Sequence, residues 1–314
     1  MEILFYYIIN LLYLGYFARR YWRWYLKAVG RGLLTDIDGI ADAKHMVANE
    51  NQMLILLYRL TKYKILKLRS AKDYFVLGNS LFLLAEYESA IECYNNALRI
   101  DGKGKYTWYN LGITLGIMGR YNDALVCWDE LVLKDGQFKE AWFNRGITLG
   151  HLSKFEDALA CYDRVLEIDN AVKDGWYNRG VVLSELGRYD DALLSYDRAL
   201  VICDDEEAWF NKGAALTELD RHDEALECYH RAVSINEKLK EGWHGMGLAL
   251  AELGNFEEAL EYYDKALVMD DRYQDAWYNK GVALDILGRY KEAQSCYNKG
   301  VAINKTIRGK RLKG

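Results

Sequence analysis

The chain has 314 residues, 51% of them hydrophobic, a net charge of −5 and no proline. Its length and apolar content exclude a disordered polymer. Residues 1–70 hold 11 basic and 5 acidic residues and residues 305–314 hold five basic and none acidic, leaving 25 basic and 41 acidic between them. So acidic a body repels phosphate, which speaks against a nucleic-acid partner and for a basic or neutral one.

Taken in chain order, residues 3–17 come first as an uncharged apolar run, ILFYYIINLLYLGYF. Arg19, Arg20, Arg23, Lys27 and Arg31 follow, interleaved with Tyr21, Trp22, Trp24 and Tyr25. The run is short for a bilayer span, which takes about 20 residues, unless the aromatic flank is counted as interface. A secretory signal would put the basic residues first. Residues 1–31 are therefore expected to form a helix anchored in or on a membrane, with the basic flank and the rest of the chain on the cytoplasmic side. The alternative is a cytoplasmic, soluble protein whose first helix packs on its own body. Residues 32–70, with the apolar and basic stretch MLILLYRLTKYKILKLR, are expected to be a helical capping or linker segment.

From residue 71 the chain repeats. Gly78, Gly112, Gly146, Gly180, Gly213, Gly247 and Gly281 recur every 33 or 34 residues, and each is followed twelve residues later by alanine, from Ala90 to Ala293. Trp108, Trp142, Trp176, Trp209, Trp243 and Trp277 stand four residues before six of the glycines. Trp176, Gly180 and Leu183 share one helix face, and Ala192, Tyr196 and Ala199 repeat that spacing on a second helix. Gly180 and Ala192 are expected to let the two helix backbones approach closely, with the aromatics filling the flanks. Gly187 falls where the first helix must end with positive φ. Ala85, Ser153 and Asp220 replace it in three units, which predicts a different closure there. A period of this length means stacked helical hairpins, an architecture of binding surfaces more than of catalysts.

The unit at 173–205, KDGWYNRGVVLSELGRYDDALLSYDRALVICDD, resembles the tetratricopeptide repeat at Trp176, Gly180, Leu183, Tyr189, Ala192, Tyr196 and Ala199. Units such as WYNKGVALDILGRYKEA are similar in style to repeat proteins of prokaryotes, methanogenic archaea among them. The resemblance implies an all-α solenoid, a right-handed superhelix of seven hairpins at 71–104, 105–138, 139–172, 173–205, 206–239, 240–273 and 274–307, preceded by N-terminal helices and followed by a basic tail at 308–314. The family's usual proline between units is missing, which predicts softer helix boundaries.

No spacing of nucleophile, base or phosphate-binding glycines suggests an enzyme, and no cofactor or metal is implied. Cys93, Cys127, Cys161, Cys228 and Cys296 occupy one repeat position in five units. Neighbouring units hold them too far apart for disulfides, and no CxxC pair exists, so reduced thiols are expected.

In the family, the inner face of the first helices lines a groove for peptides or partner helices. Here that face has an aromatic register with Tyr109, Phe143, Tyr177, Phe210 and Tyr278, and beside it Asn110, Asn144, Asn178, Asn211 and Asn279. An asparagine amide offers both a donor and an acceptor, so such a row could grip a peptide main chain. Glu140, Asp174, Glu207, Glu241 and Asp275 form one acidic register, and Glu185, Glu218 and Glu252 another. Pairing of these acids with Arg145, Arg179, Lys212 and Lys280 would weaken the groove potential. Lys72 and Asn79 are all that remains of a family clamp for a C-terminal carboxylate, and Phe75 stands where its central lysine would be. The expected function is a non-catalytic scaffold binding a basic or neutral peptide or helix at a membrane. The alternatives are a soluble, self-assembling homo-oligomer and a regulatory subunit of an enzyme complex.

Overall fold

The computed structural model describes residues 70–311, and the expectations for residues 1–69 lie outside that range. Fourteen helices and no strand occur among the described residues. They are α1 (Ala71–Leu83), α2 (Tyr87–Ile100), α3 (Lys105–Ile117), α4 (Tyr121–Lys134), α5 (Lys139–His151), α6 (Phe155–Ile168) and α7 (Lys173–Glu185). The series continues with α8 (Tyr189–Ile202), α9 (Glu206–Glu218), α10 (His222–Ile235), α11 (Lys240–Glu252), α12 (Phe256–Met269), α13 (Gln274–Ile286) and α14 (Tyr290–Arg311). They fall into two compact units divided between Leu152 and Ser153. In each unit, consecutive helices pack in sequence order, the arrangement of an all-α solenoid.

Within a hairpin the second-helix aromatic enters the space above the glycine of the first. A Cβ on Gly180 would stand 2.6 Å from the Tyr196 ring, and one on Gly112 would stand 2.7 Å from Trp128. The glycine therefore makes room for a ring, which corrects the expectation of backbone meeting backbone. Tyr94, Trp128, Tyr162, Tyr196 and Tyr263 are among the largest fully buried side chains. Burying an aromatic of this size is worth several kcal/mol in each hairpin.

The turns inside the hairpins share one closure. After α1 the amide of Ala85 donates to Phe82 O and that of Glu86 to Leu81 O; after α7 Gly187 and Arg188 bond Ser184 O and Leu183 O in the same way. This is the paired bonding of a left-handed helix stop. Ala85, Ser153 and Asp220 have φ near +57°, at 58°, 57° and 56°, beside 70° at Gly119 and Gly187. The three replacements keep the turn and bear its steric strain, so the expected change of closure does not occur.

Side chains close the linkers where proline is missing. Asp101, Asp135, Asp169, Asn236 and Asp270 each accept from the amide two residues on, at 3.0 or 3.1 Å. The indole N–H groups of Trp108, Trp142, Trp176, Trp243 and Trp277 donate to linker carbonyls at 2.9 to 3.1 Å, or at 2.8 Å for Trp243. These local turns specify the chain reversal that the missing proline would have imposed. Side-chain hydrogen bonds close these boundaries.

Candidate functional site

In α3, α5, α7, α9, α11 and α13 the first helix of the hairpin has one face that packing covers only in part. At 100° per residue, the second, ninth and thirteenth positions of a 13-residue helix lie within about 40° of one another. On α7 these are Asp174, Val181 and Glu185, while Gly180 and Leu183 point into the hairpin and are buried. The aromatic and asparagine registers flank that face. Tyr109, Asn110, Phe143 and Asn144 are half-buried on α3 and α5, as are Tyr177, Asn178, Phe210, Asn211 and Asn279 on α7, α9 and α13; Tyr278 is 59% exposed.

The asparagines are tied to the fold. Asn144 Nδ2 reaches Tyr109 OH at 3.3 Å and Asn211 Nδ2 reaches Tyr177 OH at 2.9 Å, so each bonds the aromatic of the preceding repeat. Asn279 Nδ2 stands 2.9 Å from His244 Nε2, the same link with imidazole in place of phenol. Asn110 donates at 2.8 Å to the buried Asn79, whose Oδ1 also accepts from Tyr94 OH at 2.9 Å. Asn144 and Asn178 donate back to Glu140 O and Asp174 O within their own helices. At least one amide hydrogen of each asparagine, and both of Asn144, are thus engaged inside the protein. Asn79 is a structural link here, so the fragment of a carboxylate clamp does not assemble.

Gly245 lacks the link altogether. It replaces the asparagine in α11, where the preceding aromatic is Phe210, which has no hydroxyl to bond. The Tyr229 ring fills that space, 2.8 Å from where a Cβ on Gly245 would lie. Pairing the tyrosine of one repeat with the asparagine of the next reads this link off the sequence for Asn144 and Asn211, whereas Asn110 and Asn178 follow Phe75 and Phe143 and bond elsewhere.

Charges are sorted between faces. Arg145 Nε bonds Asp129 at 2.8 Å, Arg179 bonds Asp163 at 2.7 Å, Lys212 bonds Asp197 at 2.6 Å, and Lys280 pairs with Asp264. Each acid lies on the second helix before the base, 15 or 16 residues upstream, a spacing visible in the sequence. The expected pairing of these bases with the acids of the open face is therefore not what forms. Lys105, Lys173 and Lys240 reach the linker acids Asp135, Asp205 and Asp270 at 2.7, 2.9 and 2.5 Å. Hydrogen bonds from Lys105 and Lys240 hold the Asp135 and Asp270 carboxyls below the usual range.

Burial governs the other titratable groups. The thiols of Cys93 and Cys127 are pushed up to about 12 by desolvation, and that of Cys228 to about 11. High values keep a thiol protonated and unreactive. His244 is buried, its Nδ1 stands 3.2 Å from Tyr273 OH, and desolvation lowers its pKa. Among the described residues, no cluster of side chains could hold a metal ion. No helix among them is long and apolar enough to cross a membrane, and residues 3–17 lie outside them.

Profiles described as tetratricopeptide repeat match residues 74–103, 140–170, 174–205, 206–239 and 244–303. The chain belongs to the tetratricopeptide repeat family. No curated protein matches its sequence. Among solved structures it is similar to a tetratricopeptide repeat protein from Parabacteroides merdae ATCC 43184, at 17% identity and a TM-score of 0.61, over 77% of this chain and 97% of that one. It is also similar to the C-terminal part of a TPR repeat-containing protein from Cytophaga hutchinsonii, at 15% identity and a TM-score of 0.62, over 74% and 96%. MamA from Desulfovibrio magneticus RS-1 matches at 19% identity and a TM-score of 0.52, over 55% and 97%. These likenesses establish the tetratricopeptide fold.

Proposed function

We propose that this tetratricopeptide protein is a non-catalytic scaffold that binds a protein partner, as an extended peptide or a helix, on the open face of its first helices. One observation carries the reading. On α7, α9, α11 and α13 the second, ninth and thirteenth positions recur at fixed spacing on one face, mostly exposed at the second and thirteenth positions, while Val181 and Leu248 at the ninth pack partly against the core. The aromatic row flanks it, and Asn110, Asn144, Asn178, Asn211 and Asn279 supply carbonyl acceptors. A photo-crosslinking residue at Val181 tests the face, with Val201 on the outer side, 84% exposed, as the control. Crosslinks from Val181 and none from Val201 are expected; the reverse pattern would move the site to the outer face.

The membrane part of the proposal rests on the uncharged run 3–17 and the arginines after it. Such a run with a positive flank keeps the repeats on the cytoplasmic side. Deleting residues 1–31 should move the chain from the membrane pellet to the soluble fraction. Full-length protein that stays soluble without detergent would defeat this part alone. A second reading, self-association, has its own support: Ile286 and Tyr290 on the last hairpin are 57% and 70% exposed. Tyr290→Glu should then lower the mass measured by sedimentation.

A further inference from the structure

Helices α7, α9, α11 and α13 of the second unit carry five basic side chains, and each has an acid partner off the open face. Arg179, Lys212 and Lys280 pair with second-helix aspartates, and Lys173 and Lys240 with linker aspartates. Their acids are placed the other way. Asp174, Glu207, Glu241 and Asp275 stand at the second position of the four helices, and Glu185, Glu218 and Glu252 at the thirteenth of three. Lys173 lies 3.4 Å from Asp174 and Lys240 3.9 Å from Glu241, both longer than the same lysines' linker contacts. Eleven residues of helix separate the two rows, roughly 16 Å. Between them the ninth positions, Val181, Ala214, Leu248 and Val282, form a partly buried apolar floor, Val181 and Leu248 packed against the core beneath. One amide hydrogen each of Asn178, Asn211 and Asn279 is engaged within the protein and seven carboxylates stand on the face, so it holds more acceptors than donors.

We infer that the open face of α7, α9, α11 and α13 takes a cationic segment of a protein partner, whose Lys or Arg side chains meet the two acidic rows while its apolar side chains rest on the floor between them. This rests on the open-face reading above and narrows it to one partner chemistry and one of the two units. A segment offering only acceptors, or carrying carboxylates, would leave both rows unanswered and face like charge. Opposite charge on a wide face also steers encounter, so association should slow as salt rises.

The test uses the full chain in a non-ionic detergent and two fluorescent 16-residue peptides. One repeats Lys-Ala-Lys-Leu; the other has glutamine for every lysine. The lysine peptide should bind, more weakly as salt rises, and the glutamine peptide should bind at least about tenfold more weakly. The double variant Glu185→Lys with Glu218→Lys should weaken the lysine peptide by roughly tenfold at low salt. Glu227→Lys with Glu261→Lys, on exposed second-helix positions, changes the net charge equally and should alter affinity by no more than about twofold. Circular dichroism confirms that both variants fold. Failure of the lysine peptide to bind, equal binding of the glutamine peptide, or equal weakening by the two double variants would each overturn the inference. None of these outcomes touches the crosslinking result at Val181, so a neutral partner on the same face remains distinguishable from no partner there.

Discussion

The two compact units are built with the same joints but present different faces. Both insert a second-helix aromatic over a first-helix glycine, Trp128 over Gly112 in one and Tyr196 over Gly180 in the other. Both join repeats through asparagine, Asn144 to Tyr109 and Asn211 to Tyr177. Yet the thirteenth positions of the first helices are Leu83, Ile117 and His151 in the first unit, and Glu185, Glu218 and Glu252 in three helices of the second. The second positions are Lys72, Tyr106 and Glu140 in the one, and acidic throughout in the other. Packing fixes the joints because a ring or a buried amide tolerates little change. The open face bears no such constraint, so its chemistry can differ from one unit to the next.

The sharpest way to break the shared joint is to empty it. Trp128→Ala and Tyr263→Ala should each cost about 3–5 kcal/mol in urea unfolding, one in each unit. A cost below about 1 kcal/mol in either unit would show that its ring is not the keystone of the hairpin. Filling the glycine is the complementary change. Gly112→Val and Gly180→Val should each lower stability by about 1–3 kcal/mol, since the added carbons must displace a ring in contact.

The asparagine links should distinguish the units by burial. Asn79 is 6% exposed and accepts from both Tyr94 and Asn110, so Asn79→Ala strands two donors and should cost about 1–3 kcal/mol. Asn211→Ala removes one half-buried bond and should cost about 0.5–1.5 kcal/mol. Equal losses would mean that burial does not set the value of the link.

His244 makes the link between α11 and α13 sensitive to acid. Burial lowers its pKa in the folded chain, so below the unfolded value of about 6.5 the unfolded state binds more protons. Stability should therefore fall as the pH drops through that value and level off below the folded pKa. Tyrosine holds this position in α3, α7 and α13, and His244→Tyr would keep an acceptor for Asn279 without the titration. The variant should lose the acid-dependent part of the melting curve between pH 7.5 and 5.5. An identical pH dependence in wild type and variant would remove His244 as its source. The smallest effect is expected at the left-handed turns, where Ala85→Gly should stabilise by about 0.5 kcal/mol, relieved strain outweighing the added chain entropy.

The sequence by itself determined the period, the helical hairpins, the turn positions and the buried small and aromatic residues, since each follows from spacing along one chain. It also placed the aromatic, asparagine and acidic registers on one helix face, because 3.6 residues per turn fixes which positions align. Tertiary structure alone decided where polar groups found partners. Asn144 and Asn211 go to the preceding repeat's tyrosines, and Arg179 goes to Asp163 instead of to an acid of its own helix face. Hydrogen bonds and ion pairs depend on distances between helices to within a few tenths of an ångström. The order of residues along one helix does not contain those distances; the packing of one helix on the next sets them.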